Sequence, residues 1–141
     1  MANTTAVSVQ FKLDSMTAIL PAAIATLKAA LYLVSATTNG SNTAYTATGE
    51  VSGTNYTAGG VAVTAANAPA SSGTTVYWTP SASIVYPNVT LATAFDSVMI
   101  YDTARSNKAI GVWNFGSQTV TAGTLTLTMP ANDAANALLR A

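Results

Sequence analysis

Residues 97–115 read SVMIYDTARSNKAIGVWNF. Two apolar runs of strand length, Ser97–Tyr101 and Ala109–Phe115, flank a polar stretch, Asp102–Lys108. That pattern predicts a β-hairpin. Both arms are apolar on both faces: Val98 and Ile100 against Met99 and Tyr101, Val112 against Trp113. Such a strand is central in its sheet, or is covered by a second sheet or a neighbouring subunit. Asp102–Lys108 holds three of the chain's ten charged residues and reads as a solvated hairpin tip rather than a docking point.

Working outward, Gly116-Ser117 and Ala122-Gly123 predict turns. Between Thr124 and Met129 the sequence alternates, with Leu125, Leu127 and Met129 on one face and Thr124, Thr126 and Thr128 on the other. Period-2 alternation gives a strand with one buried and one wet face. Pro130 ends it, and 131–141 is a tail, either a short helix after Asn132 or a trailing arm. Upstream, Ile84–Leu91 is a strand whose Pro87 lacks a ladder donor, so it lies at an edge or a bulge. Thr74–Trp78 is a short strand stopped by Pro80, and Val61–Thr64 another, while 68–73 reads as loop. Asn39-Gly40 marks a tight turn through a positive-φ glycine. Residues 28–35, KAALYLVS, form a continuous apolar run suited to a strand covered on both faces.

Residues 1–27 are ambiguous. Val7, Val9, Phe11 and Leu13 alternate, whereas Phe11, Ser15 and Ile19 with Met16 and Leu20 make a helical stripe. A helix ending before Pro21 is the favoured reading. From Met16 to Ala36 the only charge is Lys28, but Lys28 near a bilayer centre costs about 2.5–3.5 kcal/mol. The stretch reads as two elements, one ending near Leu20 and a buried strand centred on Leu31, and no membrane partner is expected. Residues 1–11 carry no charged side chain, which fits a signal peptide poorly. The fold expected is therefore mainly β: a single-domain antiparallel β-sandwich or partly closed barrel, jelly-roll-like, with at most a short N-terminal helix.

Composition narrows function. Half of the 141 residues are hydrophobic and only 7% are charged, against about 25% in ordinary soluble domains. Thr and Ala fill more than a third of the chain. Five basic and five acidic residues give zero formal charge, which supplies no basic field for nucleic acid and little self-repulsion. With no His and no Cys, Ser-His-Asp and Cys-His sites are excluded and zinc loses its usual ligands. A Ser-Lys pair using Lys12, Lys28 or Lys108 is formally open. Asp14, Glu50, Asp96, Asp102 and Asp133 are scattered, with Asp96 and Asp102 about 20 Å apart along an extended strand. No catalytic, cofactor or metal residue is assigned, and no cofactor is expected. Tyr77-Trp78, Trp113 and Phe115 read as core or interface anchors before they read as a sugar-stacking platform. The sequons at Asn3, Asn39, Asn55 and Asn88 follow from the abundance of Thr.

Residues 49–64, GEVSGTNYTAGGVAVT, resemble a segment of small structural proteins of tailed bacteriophages, in which a GEVSGTGYTAGG run precedes a strand. The likeness continues through Trp78, Asn88-Val89-Thr90-Leu91, Ile100-Tyr101-Asp102 and Asn114-Phe115-Gly116 to the C-terminal Leu-Thr-Leu strand, covering roughly residues 28 to 130. Asn55 departs from the glycine of that pattern, and asparagine tolerates the left-handed region better than most residues. The resemblance implies a virion component without enzymatic activity. Size and neutrality narrow the expectation to a decoration or cement subunit on the capsid exterior, made in the bacterial cytoplasm. Its partners would be the major capsid protein and copies of itself, as a dimer or trimer at a symmetry axis. The alternatives are a neck, tail or fibre component, and a carbohydrate-binding β-module.

Overall fold

The computed structural model describes residues 3–141. The chain divides into two compact units, one built from residues 3–24, 64–82 and 128–141, the other from 25–63 and 83–127. The fold is mainly β, with two antiparallel sheets and one short helix near the N-terminus. Neither sheet closes into a barrel.

In the first unit, helix α1 (Val9–Ile19) packs on the strands β3 (Ala70–Ser72) and β4 (Thr75–Trp78). The helical reading of this segment holds, but its inner stripe differs. Val9, Leu13, Met16 and Ile19 turn inward with buried Leu20 behind them, while Phe11 is two-thirds exposed. The spacing 9, 13, 16, 20 is the true 3.6-residue stripe. Lys12 Nζ ties the helix down by donating to Thr74 O at 2.6 Å and Ala141 O at 3.1 Å. The stretch 68–73 is not all loop, because Ala70–Ser72 pairs with β4.

The C-terminal tail forms neither a helix nor a free arm. Asp133 caps a single turn by accepting from Ala135 N and Asn136 N. The chain then enters strand β7 (Leu139–Arg140), which pairs with Tyr77 and Trp78. Asn136's side-chain amide, donating to the carboxylate, is the main reason that Asp133 lies below the ordinary aspartate range.

The second unit holds a four-stranded sheet in the order β2-β1-β5-β6. Strand β1 (Leu27–Leu33) is the apolar run expected to be covered on both faces, and Ala29, Ala30, Leu31 and Tyr32 are wholly buried. Strand β2 (Val61–Ala62) is shorter than the predicted Val61–Thr64. Strands β5 (Ile84–Asp102) and β6 (Lys108–Leu127) pair along nearly their whole length and are joined by a 3-10 turn, Thr103–Arg105. The predicted hairpin is present, and it extends far beyond residues 97–115.

Two expected turns are bulges instead. Gly116 (φ 94°) and Ala122 (φ 44°) lie inside β6, where the register against β5 shifts. Some turns and some bulges alike place a glycine at positive φ, so the two can look alike in sequence. The Pro87 reading holds: the register shifts between Tyr86 and Val89, with Asn88 at φ 49°. Asn39-Gly40 does turn, through Asn42 N donating to Asn39 O, but Gly40 is not at positive φ. The Asn39 side chain makes that turn by accepting from Ser41 N.

Candidate functional site

Five of the six tyrosines, together with Glu50, converge around β1 in the second unit. Glu50 sits at the start of the glycine-rich segment and bridges Tyr32 on the edge of β1. Its two oxygens accept three donors: Tyr45 Oη at 2.5 Å on Oε2, and Tyr56 Oη and Gly59 N, both at 2.7 Å, on Oε1.

The backbone explains why these groups meet. Gly49 O accepts from Leu33 N, and Val51 N donates to Leu31 O, so 49–51 pairs with the later half of β1. Residues 61–62 pair with the earlier half, at Ala29 and Lys28. The chain therefore leaves and rejoins the same edge of β1. Between the two pairings, Leu31 N would have no ladder partner, and Tyr56 Oη accepts from it at 3.0 Å. Ala29 O accepts from Tyr86 Oη at 2.6 Å. Tyrosine hydroxyls thus stand in for missing strand backbone, as buried polar groups require.

Two glycines permit the wrap. A Cβ on Gly60 would lie 1.7 Å from Ala29 O, and its φ is +84°. One on Gly53 would lie 2.0 Å from Thr90 O, where Thr54 bridges Thr90. Asn55 takes φ 62°, the left-handed conformation expected for its position, and its side chain donates to Asn88 O at 2.8 Å. Tyr101 Oη donates to Gly59 O, and Tyr32 Oη to Thr46 O. The rings of Tyr45 and Tyr101 stack with centroids 4.9 Å apart, and those of Tyr56 and Tyr86 at 6.0 Å.

Burial dominates the electrostatics. It pushes the Tyr32 phenol up to about 12 and raises those of Tyr45, Tyr56, Tyr86 and Tyr101 as well. Glu50 adds to each shift, because a second negative charge beside a carboxylate is unfavourable. These phenols stay protonated at physiological pH and act as hydrogen-bond donors.

The remaining acids are placed in local structure. Asp102 is 1% exposed, accepting from Thr26 Oγ1 at 2.7 Å and Ala104 N at 2.9 Å, so it anchors the hairpin tip rather than joining a solvated one. Asp96 accepts from Ser97 Oγ and Asn114 Nδ2, and Asp14 from Gln10 Nε2. Among the described residues no three His, Cys, Asp or Glu side chains form a metal-holding group. No helix among them is long and apolar enough to cross a membrane.

Two of the four aromatics are taken up by packing. Trp78 is fully buried and donates through Nε1 to Asn67 O, so it has no face to offer a sugar. Phe115 packs edge-on against Phe95 at 5.9 Å. An open cleft of about 240 Å³ lies beside the tyrosine cluster, lined by Ser35, Thr37, Thr38, Asn42, Thr46 and Thr48 among others. It offers hydroxyl and amide groups and no charge.

Sequence reading missed the tyrosine–Glu50 cluster, because its members lie between residues 32 and 101. The one signal available was the density of glycine in 49–60, around the single Glu50 and Tyr56. No family model, curated protein or solved structure matches this chain.

Proposed function

We propose that the chain is a non-enzymatic virion structural protein of a tailed bacteriophage, acting as a decoration or cement subunit on the capsid exterior. The observation that carries this reading is the use made of the segment bearing the resemblance. Gly49 and Val51 pair with β1, Glu50 gathers three donors, Gly53 and Gly60 allow close backbone contact, and Tyr56 fills the gap in the ladder. The segment is thus a scaffold element, which is what a recurring motif in a structural protein family needs to be. Scarce charge and zero net charge suit a protein that works by burying surface in an assembly.

In mechanism, copies bind across contacts between neighbouring major capsid subunits and add buried area to the shell. Each contact can be modest, because a symmetric lattice engages many copies at once. The test is copy number in purified particles, by quantitative mass spectrometry against the major capsid protein. A ratio near one, or a simple lattice fraction of it, is expected. A few copies per particle would move the protein to the neck, tail or fibre, and absence from particles would end the virion reading.

A further inference from the structure

Ten asparagines are spread along the chain, and Asn39 alone is followed by glycine. The order matters because the backbone nitrogen of the next residue can attack an asparagine side chain, and only glycine offers that nitrogen with no Cβ beside it. Asn39 and Gly40 are both exposed, in the loop that follows β1. The turn there holds the reacting groups in a definite arrangement. Asn39 Oδ1 accepts from Ser41 N at 2.8 Å, and Asn39 Nδ2 donates to Thr37 O at 3.1 Å. The backbone is pinned as well, with Asn39 N donating to Asn42 Oδ1 at 2.7 Å and Asn42 N to Asn39 O at 3.0 Å. Between these anchors the Gly40 N–H has no acceptor among the described residues. A Cβ built on Gly40 would meet nothing within 4 Å, so the face of that nitrogen is open to solvent.

We infer that Asn39-Gly40 is a self-modification site of the folded chain, where the asparagine converts to aspartate and isoaspartate without an enzyme. The reactants are this chain, water and hydroxide. Hydroxide takes the proton from Gly40 N, and the nitrogen attacks Asn39 Cγ, forming an N–Cγ bond. The Ser41 N–H already sits on Oδ1, the oxygen on which negative charge develops, as backbone donors do at acyl-transfer sites. The Cγ–Nδ2 bond then breaks, and ammonia leaves with a proton from water, which restores the hydroxide. Water opens the five-membered imide at either carbonyl and gives aspartate or isoaspartate. Nothing is oxidised or reduced. Attack within one chain replaces a bimolecular encounter. The product places one negative charge on a chain whose formal charge is zero. That charge arises beside Thr37, Thr38 and Asn42, which line the uncharged cleft.

The test holds the whole folded chain in warm, mildly alkaline buffer and follows it by peptide mass mapping. Each conversion raises the mass by about one dalton. Asn39 should convert about tenfold or more faster than any of the other nine asparagines. Isoaspartate should be among the products, because only the cyclic imide yields it. Gly40→Ala is the sharp control, since Gly40 is not at positive φ and an added Cβ has open space. That variant should fold unchanged and convert about tenfold more slowly. Should it misfold, the ratio among the asparagines and the identity of the product still decide. A synthetic peptide of residues 36–44 carries the sequence without the fold. The folded chain should convert at no less than about a tenth of the peptide's rate. Comparable rates at several asparagines, aspartate as the sole product, a Gly40→Ala variant as fast as the parent, or stronger protection by the fold would each overturn the inference. The reaction needs no shell or partner, so the virion reading stands or falls separately, on copy number.

Discussion

Glu50 is the residue on which the second unit's polar chemistry turns. Its removal by Glu50→Ala strips the acceptor from two tyrosine hydroxyls and the Gly59 amide. Unsatisfied buried donors cost about 1–3 kcal/mol each, and partial access of the two hydroxyls to water brings the expected loss to about 2–4 kcal/mol. Glu50→Gln keeps one oxygen for Tyr56 and Gly59, while its amide can donate to Tyr45. It should lose less than half as much, and urea unfolding of the two variants measures the difference. The tyrosines make a second prediction. Their phenols titrate above the ordinary value of 10, so above pH 10 the folded chain keeps protons that the unfolded chain has released. Their contribution is complete below pH 10 and is lost as pH rises from 10 towards 12 and beyond. The urea midpoint should be flat from pH 8 to 10 and then fall, with phenolate absorbance appearing together with unfolding. A midpoint unchanged up to pH 12 would refute this.

At the scale of elements, the notable device is a sheet edge completed by side chains. Tyr56→Phe keeps the ring stacked on Tyr86 but leaves Leu31 N without its acceptor. The expected cost is about 1–3 kcal/mol, with faster hydrogen exchange at the Leu31 amide as the specific sign. Gly60→Ala tests the close approach of the loop to β1. Positive φ and the clash with Ala29 O together should cost about 3 kcal/mol or more, read from the thermal midpoint. The bulges in β5 and β6 show what local sequence leaves open. Pro87 announces a break in pairing because its missing N–H is a local fact. Gly116 announces positive φ, whereas at Ala122-Gly123 the alanine and not the glycine adopts it, and in both places whether the chain reverses depends on whether β5 continues opposite.

At the scale of the whole molecule, the sheets join distant parts of the chain. Leu27 pairs with Asp102, and Tyr77 with Arg140. Loop closure must precede those contacts, so folding should take milliseconds to seconds, as stopped-flow fluorescence of Trp78 and Trp113 would record. Microsecond folding would contradict this topology. The sequence by itself determined the mainly β character, the buried run around Leu31 and the 97–115 hairpin, and it favoured, without settling, the helix before Pro21. Each rests on periodicity or proline, which neighbouring residues fix. Only the tertiary structure decided that two predicted turns are bulges, that the tail returns as a strand, that Asp102 is buried, and that Glu50 gathers Tyr45 and Tyr56 beside the edge of β1. Those outcomes depend on what lies across a ladder or behind a side chain, and pairing between residues tens of positions apart leaves no local period to read.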